Sequence, residues 1–253
     1  MSQQTIALIT GGNRGLGRAA AVKLAEAGTD VIITYRSNAA EAAEVVDAVT
    51  ALGRKAAALQ LDTTLLDTFP AFAADVRKAL TANWERETFD FLVNNAGVAA
   101  YTPVGGTGVE SFDLLVDVHF KGVVFLTQEL LPLLADGGRI VNLSTGLNRF
   151  VGEGFAVYAS VKSAVDTYSR YLAKELGGRA ISVNSLAPGP IATDFGGGAV
   201  RDDQAINAHW AGNAALGRVG EPDDIGGAIA ALLAPGAGWI TGQRIEASGG
   251  TLL

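Results

Sequence analysis

The sequence predicts an α/β fold in which a parallel sheet is covered by helices on both faces, all in one domain spanning residues 1–253. Three observations predict it. Short β-branched apolar runs alternate with longer amphipathic stretches, and short joints connect them, which is the rhythm of a parallel sheet. A glycine-rich turn joins the first strand to the first helix. No linker, tandem repeat or low-complexity tract divides the chain.

In chain order, residues 5–10 (TIALIT) read as a buried strand. Gly11, Gly12, Gly15 and Gly17 make the turn, and residues 18–27 form a helix closed by Gly28. Residues 30–35 (DVIITY) are a second strand, 38–52 a helix ending at Gly53, and 55–61 a third strand. A helix over about 65–84 leads to a fourth strand at 89–93. The second half repeats the pattern, with a long helix over about 111–134, carrying Pro132 in its last turn, and a strand at 139–143. A helix over 157–176 and a strand at 180–186 follow. Residues 189–220 are glycine-rich with little periodicity, a length that in a compact domain marks a lid or binding segment. A helix at 222–233 opens on Glu221-Pro222-Asp223-Asp224, with acids at the positive end of its dipole, and residues 243–247 close the sheet.

Composition narrows the function. With 49% hydrophobic and 18% charged residues the chain is globular, and it is long enough for a substantial core. A net charge of −7 argues against broad contact with nucleic acid or anionic membranes. Apolar runs break well short of the ~18 residues that a membrane helix needs. No basic leader with an apolar stretch begins the chain, so a cytoplasmic location is expected. The absence of cysteine removes disulfides, thiolate–zinc sites and thiol nucleophiles, and His119 and His209 lie far apart, so no metal site is expected.

Several stretches carry chemistry. Glycines after a strand and before a helix allow close backbone approach, and the helix start offers free N–H groups, which together cradle a pyrophosphate. Tyr158 and Lys162 are four residues apart, hence one turn apart on the same helix face. An ammonium near a phenol lowers its pKa and makes it a usable acid or base, although such a pair also occurs as an ordinary surface contact. Thr145 falls just past the end of the fifth strand, where ligands of open α/β sheets sit, with Ser144 as the competing hydroxyl. Asn94-Asn95-Ala96-Gly97 follows the fourth strand, and Gly97 leaves room there for a cofactor.

Thr10-Gly-Gly-Asn-Arg-Gly-Leu-Gly17, Asp62, Asn94-Asn-Ala-Gly97, the hydroxyl at 145, Tyr158-x-x-x-Lys162 and Pro188-Gly189 occur in this order. The set resembles the short-chain dehydrogenase/reductase family, in its branch of about 250 residues. The resemblance covers nearly the whole chain. It implies a seven-stranded Rossmann sheet of order 3-2-1-4-5-6-7 and hydride exchange between a nicotinamide cofactor and a carbonyl–alcohol pair. It makes Tyr158 the proton-transfer residue, with Lys162 binding the nicotinamide ribose. Cofactor contacts are implied for Gly11, Asn13, Arg14, Gly15, Leu16 and Gly17 of the turn, and for Tyr35, Arg36 and Ser37 after the second strand. The implied contacts continue through Asp62, Thr63, Asn94, Ala96 and Gly97 to Pro188, Gly189, Ile191 and Thr193 at the nicotinamide end.

Two positions depart from the family pattern. Its catalytic serine falls on Thr145, where the hydroxyl survives but the extra methyl restricts its rotamers. Its catalytic asparagine falls on His119, and there the imidazole either replaces the amide in a proton relay or is a packed helix histidine. Tyr35 stands where enzymes that use NAD carry an acid, and Arg14 and Arg36 suit a 2′-phosphate, so NADP(H) is the expected cofactor. Leu147, Phe150, Phe155, Phe195 and Trp210, with Thr145 and Tyr158, are the candidate substrate contacts. They suggest an apolar substrate, though they fit lid packing or a subunit contact equally; with the resemblance, the reading is an NADPH-dependent carbonyl reductase for a small or medium apolar ketone. A 3-oxoacyl-acyl-carrier-protein reductase is the alternative within the family, and a non-catalytic dinucleotide sensor is the more distant one. Apolar residues beyond the sheet-facing stripe of the helices at 111–134 and 157–176 include Val123, Phe125, Leu126, Val161, Val165, Tyr168 and Tyr171. With the resemblance, they predict a homotetramer built as a dimer of dimers.

Overall fold

A computed structural model describes residues 4–253. Seven parallel strands form one sheet in the order β3-β2-β1-β4-β5-β6-β7, as the resemblance implies. The interior strand β1 (Ile6–Ile9) is fully buried and leads through the glycine turn into α1 (Gly15–Glu26). β2 (Asp30–Tyr35), α2 (Ala39–Ala51), β3 (Ala56–Gln60), α3 (Phe69–Trp84) and β4 (Phe89–Asn94) follow close to their expected bounds. Asn38 caps α2 by accepting the Glu41 N–H at 3.2 Å.

Alternation along the strands builds two cores, one on each face of the sheet. Ile6, Leu8 and Ile32 pack with Phe69, Phe72, Val76 and Leu80 on one side. Ala7, Ile9, Val31 and Ile33 pack on the other with Leu24 of α1, Val45 of α2 and Ile225 and Ile229 farther along the chain.

The stretch at 109–134 differs from the long helix expected of it. It divides into α4 (Val109–Val116), a π-helical turn (Asp117–Lys121) and α5 (Gly122–Leu130). The extra residue in a π turn rotates the helix face, and here the turn carries the buried His119. Pro132 lacks an N–H and ends the helix in a short 3-10 turn (Leu131–Leu133). β5 (Leu134–Leu143) therefore begins earlier than the expected residue 139, with Leu134 paired to Phe89 across a register shift in β4.

α6 (Ala156–Leu176) and β6 (Ser182–Pro188) follow, the latter starting after a 3-10 turn (Gly177–Arg179). The lid segment at 190–220 carries more regular structure than its composition predicts: α7 (Ala199–Asp202) and α8 (Gln204–Gly212). Asp203 makes α8 possible by capping it, accepting the N–H groups of Ala205 at 2.8 Å and Ile206 at 3.1 Å. α9 (Pro222–Leu233) opens on a Glu221–Asp224 capping box, and β7 (Arg244–Ala247) completes the sheet. Among the described residues, no helix is long and apolar enough to cross a membrane.

Candidate active site

The carboxyl ends of β1, β4, β5 and β6 open into one cavity of about 610 Å³. Its lining runs from Arg36 and Arg14 past β2 and β1, through Gly97 past β4, to Phe150 and Gly189 past β5 and β6, with Trp210 supplied by the lid helix α8. Gly11 and Gly15 adopt positive φ of 62° and 53°, which a side chain would strain. A Cβ on Gly17 would lie 2.3 Å from the Gly11 carbonyl, so this glycine lets α1 approach the turn. No side chain caps α1, and its first N–H groups are left free for a ligand. Thr10 then welds two strand ends together, its Oγ accepting the N–H groups of Asn95 and Ala96, both at 2.9 Å. This glycine cradle, an open helix start and two guanidiniums at the far end fit a dinucleotide carrying an extra phosphate.

The predicted cofactor contacts divide on placement. Asn13, Arg14, Gly15, Leu16, Arg36, Ser37, Asp62, Thr63, Ala96, Gly97, Pro188, Gly189, Ile191 and Thr193 line the cavity with Gly11. Three do not reach its wall. Gly17 packs beneath the turn, and Tyr35 lies against the core under β2. Asn94 turns into the sheet, donating to Asn142 at 2.8 Å and to Thr127 at 3.1 Å. Its neighbour Asn95 is the one on the wall. Alternation places adjacent asparagines on opposite sides, so the sequence showed the pair but not which member faces the ligand. Glu41 also lines the cavity and was not singled out beforehand; it takes a 2.6 Å hydrogen bond from Asn13 Nδ2.

All seven candidate substrate residues face this cavity. Tyr158 is buried, with its ring 5.2 Å from His119, 5.9 Å from Phe195 and 6.4 Å from Phe155, centroid to centroid. Phe150 and Trp210 meet at 5.8 Å and complete an aromatic wall. Lys162 Nζ lies 5.9 Å from the Tyr158 ring centroid and donates to the Leu143 carbonyl at 2.6 Å.

One electrostatic expectation is reversed. Burial raises the Tyr158 pKa above that of a free phenol, and the Thr145 hydroxyl offsets only part of that rise. The Lys162 ammonium, over the ring face and donating to a backbone carbonyl, does not outweigh that burial. Burial also lowers Lys162, to about 8, against a partial counter-effect from Asp166. His119 falls well below the ordinary imidazole range, chiefly through burial and then through the nearby Lys162 charge.

His119 is 1% exposed and its Nε2 lies 2.7 Å from the Val98 carbonyl. Assigning the proton to Nε2 satisfies that carbonyl and leaves Nδ1 a lone pair, buried with no partner among the described residues. Gly97 is required here as well, since a Cβ on it would lie 2.9 Å from His119 Cε1. Among the described residues, no group of three His, Asp or Glu side chains comes together to hold a metal ion.

Residues 11–251 match the family described as Enoyl-(Acyl carrier protein) reductase. The chain is 32% identical to a hydroxynaphthalene reductase-like protein, Arp2, of Metarhizium brunneum, over 98% of this chain and 94% of that one. Among solved structures it resembles the angucycline C-6 ketoreductase LanV with bound NADP, at a TM-score of 0.92 and 34% identity, covering 98% of this chain and 95% of LanV. It also resembles a short-chain dehydrogenase/reductase of Serratia marcescens, at a TM-score of 0.90 and 32% identity, covering 99% of both chains. With this match across its length and the Tyr158–Lys162 helix face in the cavity, the chain belongs to the short-chain dehydrogenase/reductase family, as an oxidoreductase of the CH–OH/C=O pair.

Proposed function

We propose that the protein is an NADPH-dependent ketoreductase whose substrate is an apolar ketone flanked by a flat ring system. One observation carries this reading: a buried phenol, aromatic walls and a two-arginine terminus share one continuous cavity. NADPH, when bound, supplies the hydride. Arg14 and Arg36 take the 2′-phosphate, and the glycine turn takes the pyrophosphate. The aromatic faces of Phe150, Phe155, Phe195 and Trp210 hold the substrate rings. NADP in LanV and the ring-bearing substrates named for LanV and Arp2 support the same reading.

Tyr158 gives its proton to the carbonyl oxygen, and Thr145 hydrogen-bonds that oxygen. A phenol with a raised pKa is protonated across the neutral range, which suits it to reduction. Lys162, as an ammonium, stabilises the phenolate that proton transfer leaves behind. His119, neutral and with its proton on Nε2, offers its free Nδ1 lone pair as a hydrogen-bond acceptor that orders the polar groups beside that lysine.

Arg149 and Arg179, the basic residues that would favour a carrier-protein substrate, are paired internally with Glu246 and Asp136. That pairing supports the free ketone over the acyl-carrier reading. Initial rates with NADPH and NADH, over a panel of aryl ketones, alkyl ketones and acyl thioesters, test the proposal. The expected result is NADPH-dependent reduction that is fastest with aryl ketones. Equal use of NADH, or a preference for carrier-bound thioesters, would overturn it.

A further inference from the structure

Tyr158 and Lys162 share one face of α6, and the next residue on that face, one turn on, is Asp166. Proton transfer as described above makes no use of this residue. It is nevertheless nine-tenths buried, and a carboxylate is costly to bury unless other groups answer its charge. Two groups do so. Asn148 Nδ2 donates to Asp166 Oδ2 at 2.6 Å, and Arg244 Nε of β7 lies 3.4 Å from the same oxygen.

Both partners reach further, toward the turn that carries Thr145. Arg244 Nη2 donates to the Thr145 carbonyl at 2.8 Å, and its Nη1 donates to Glu246 at 3.2 Å. Asn148 also donates to Ser144 Oγ at 3.2 Å. Arg149, next along the turn, forks onto Glu246 and donates to the Leu252 carbonyl at 2.7 Å. Residues 144–149 are thus held from α6 through Asp166, from β7 through Arg244 and Glu246, and from the chain's last residues through Arg149.

We propose that Asp166 and Arg244 are a positioning pair that locks the turn bearing Thr145 onto the helix face bearing Tyr158 and Lys162. Its catalytic consequence rests on the ketoreductase reading; the locking itself does not. Threonine makes the lock matter. With two heavy atoms on Cβ its χ1 has little freedom, so the direction of its hydroxyl follows the position of its backbone. Arg244 holds that backbone at the carbonyl. Serine at 145 would recover a lost position by turning χ1, and threonine recovers far less.

The pair also sets the charge around Lys162. Tyr158 and Asp166 face this ammonium from α6, His119 from the π turn, the Leu143 carbonyl from β5, and Arg244 from β7 behind Asp166. Asp166 is the carboxylate among them, so removing its charge makes Lys162 lose its proton at lower pH.

Asp166→Asn, Arg244→Gln and Arg244→Lys test the pair, with circular dichroism and thermal melting to confirm folding. The expected result for Asp166→Asn and Arg244→Gln is a fall in kcat of roughly tenfold or more, with NADPH binding unchanged. The alkaline limb of the pH profile should move to lower pH in Asp166→Asn. Arg244→Lys should recover part of the loss, and Arg244→Gln should cost less in a Thr145→Ser background than beside threonine. Lysines labelled with 13C at Cε report the Lys162 titration without turnover, and its midpoint should drop in Asp166→Asn. Wild-type kcat, pH profile and Lys162 midpoint in Asp166→Asn, with wild-type kcat in Arg244→Gln, would overturn the pair. If Arg244→Gln does not fold, the isosteric Asp166→Asn decides. If the wild-type chain reduces no ketone, the ketoreductase reading falls while the lysine titration still decides the inference.

Discussion

Tyr158 is enclosed by His119, Phe155 and Phe195, and the burial this enclosure brings raises its pKa. Tyr158→Phe is expected to lower kcat by about 10²- to 10⁴-fold while NADPH still binds, measured by single-turnover kinetics and fluorescence titration. Thr145→Ala should be comparably severe, because its hydroxyl meets Tyr158, whereas Ser144→Ala should be mild, because Ser144 Oγ serves Asn148. The Lys162 ammonium persists below about 8 and is lost as pH rises through that value, so kcat should decline on the alkaline side well before an ordinary lysine titrates. His119 stays neutral through that range, and no acid limb near an ordinary imidazole pKa should appear. His119→Ala should slow turnover and His119→Asn should restore much of it; unchanged kcat in His119→Ala would reduce the residue to packing. The sequence showed an imidazole where the family has an amide. The free Nδ1 appeared only once the Val98 carbonyl was seen to engage Nε2.

At the level of elements, the turns that meet at the cavity are joined by side chains whose loss has defined consequences. Thr10→Val leaves the N–H groups of Asn95 and Ala96 without their acceptor, and should cost about 1–3 kcal/mol in urea unfolding and raise the NADPH KM. Asp203→Ala uncaps α8 in the lid, and should cost about 1 kcal/mol and raise the ketone KM more than it changes kcat. Strands and long amphipathic helices were legible because their periodicities run over many residues. The π turn at Asp117–Lys121 was not, since one extra residue in a helix leaves no mark on hydrophobic spacing. The short lid helices were hidden for a related reason: α7 is a single turn, and the three glycines before it adopt positive φ, which composition reads as irregular chain.

Across the whole molecule, the apolar faces predicted for assembly separate into two sets. Leu126 and Val165 are core residues of the single chain, whereas Phe125 and Tyr171 stay exposed, as does Phe112 on α4. These exposed aromatics are the expected subunit contacts, and light scattering at micromolar concentration should report a mass well above 26.0 kDa. A monomer there would defeat the expectation, and Tyr171→Glu should shift an assembled form toward smaller species. What the sequence by itself determined is the alternation of strands and helices, the glycine turn and the Tyr158–Lys162 spacing, because each is set by local backbone sterics and helical periodicity. What only the tertiary structure decided is which asparagine faces the cavity, the direction of the Tyr158 pKa shift, and the link from Asp166 through Arg244 to Thr145. Those depend on burial and on contacts between residues far apart in the chain, and no local pattern encodes them.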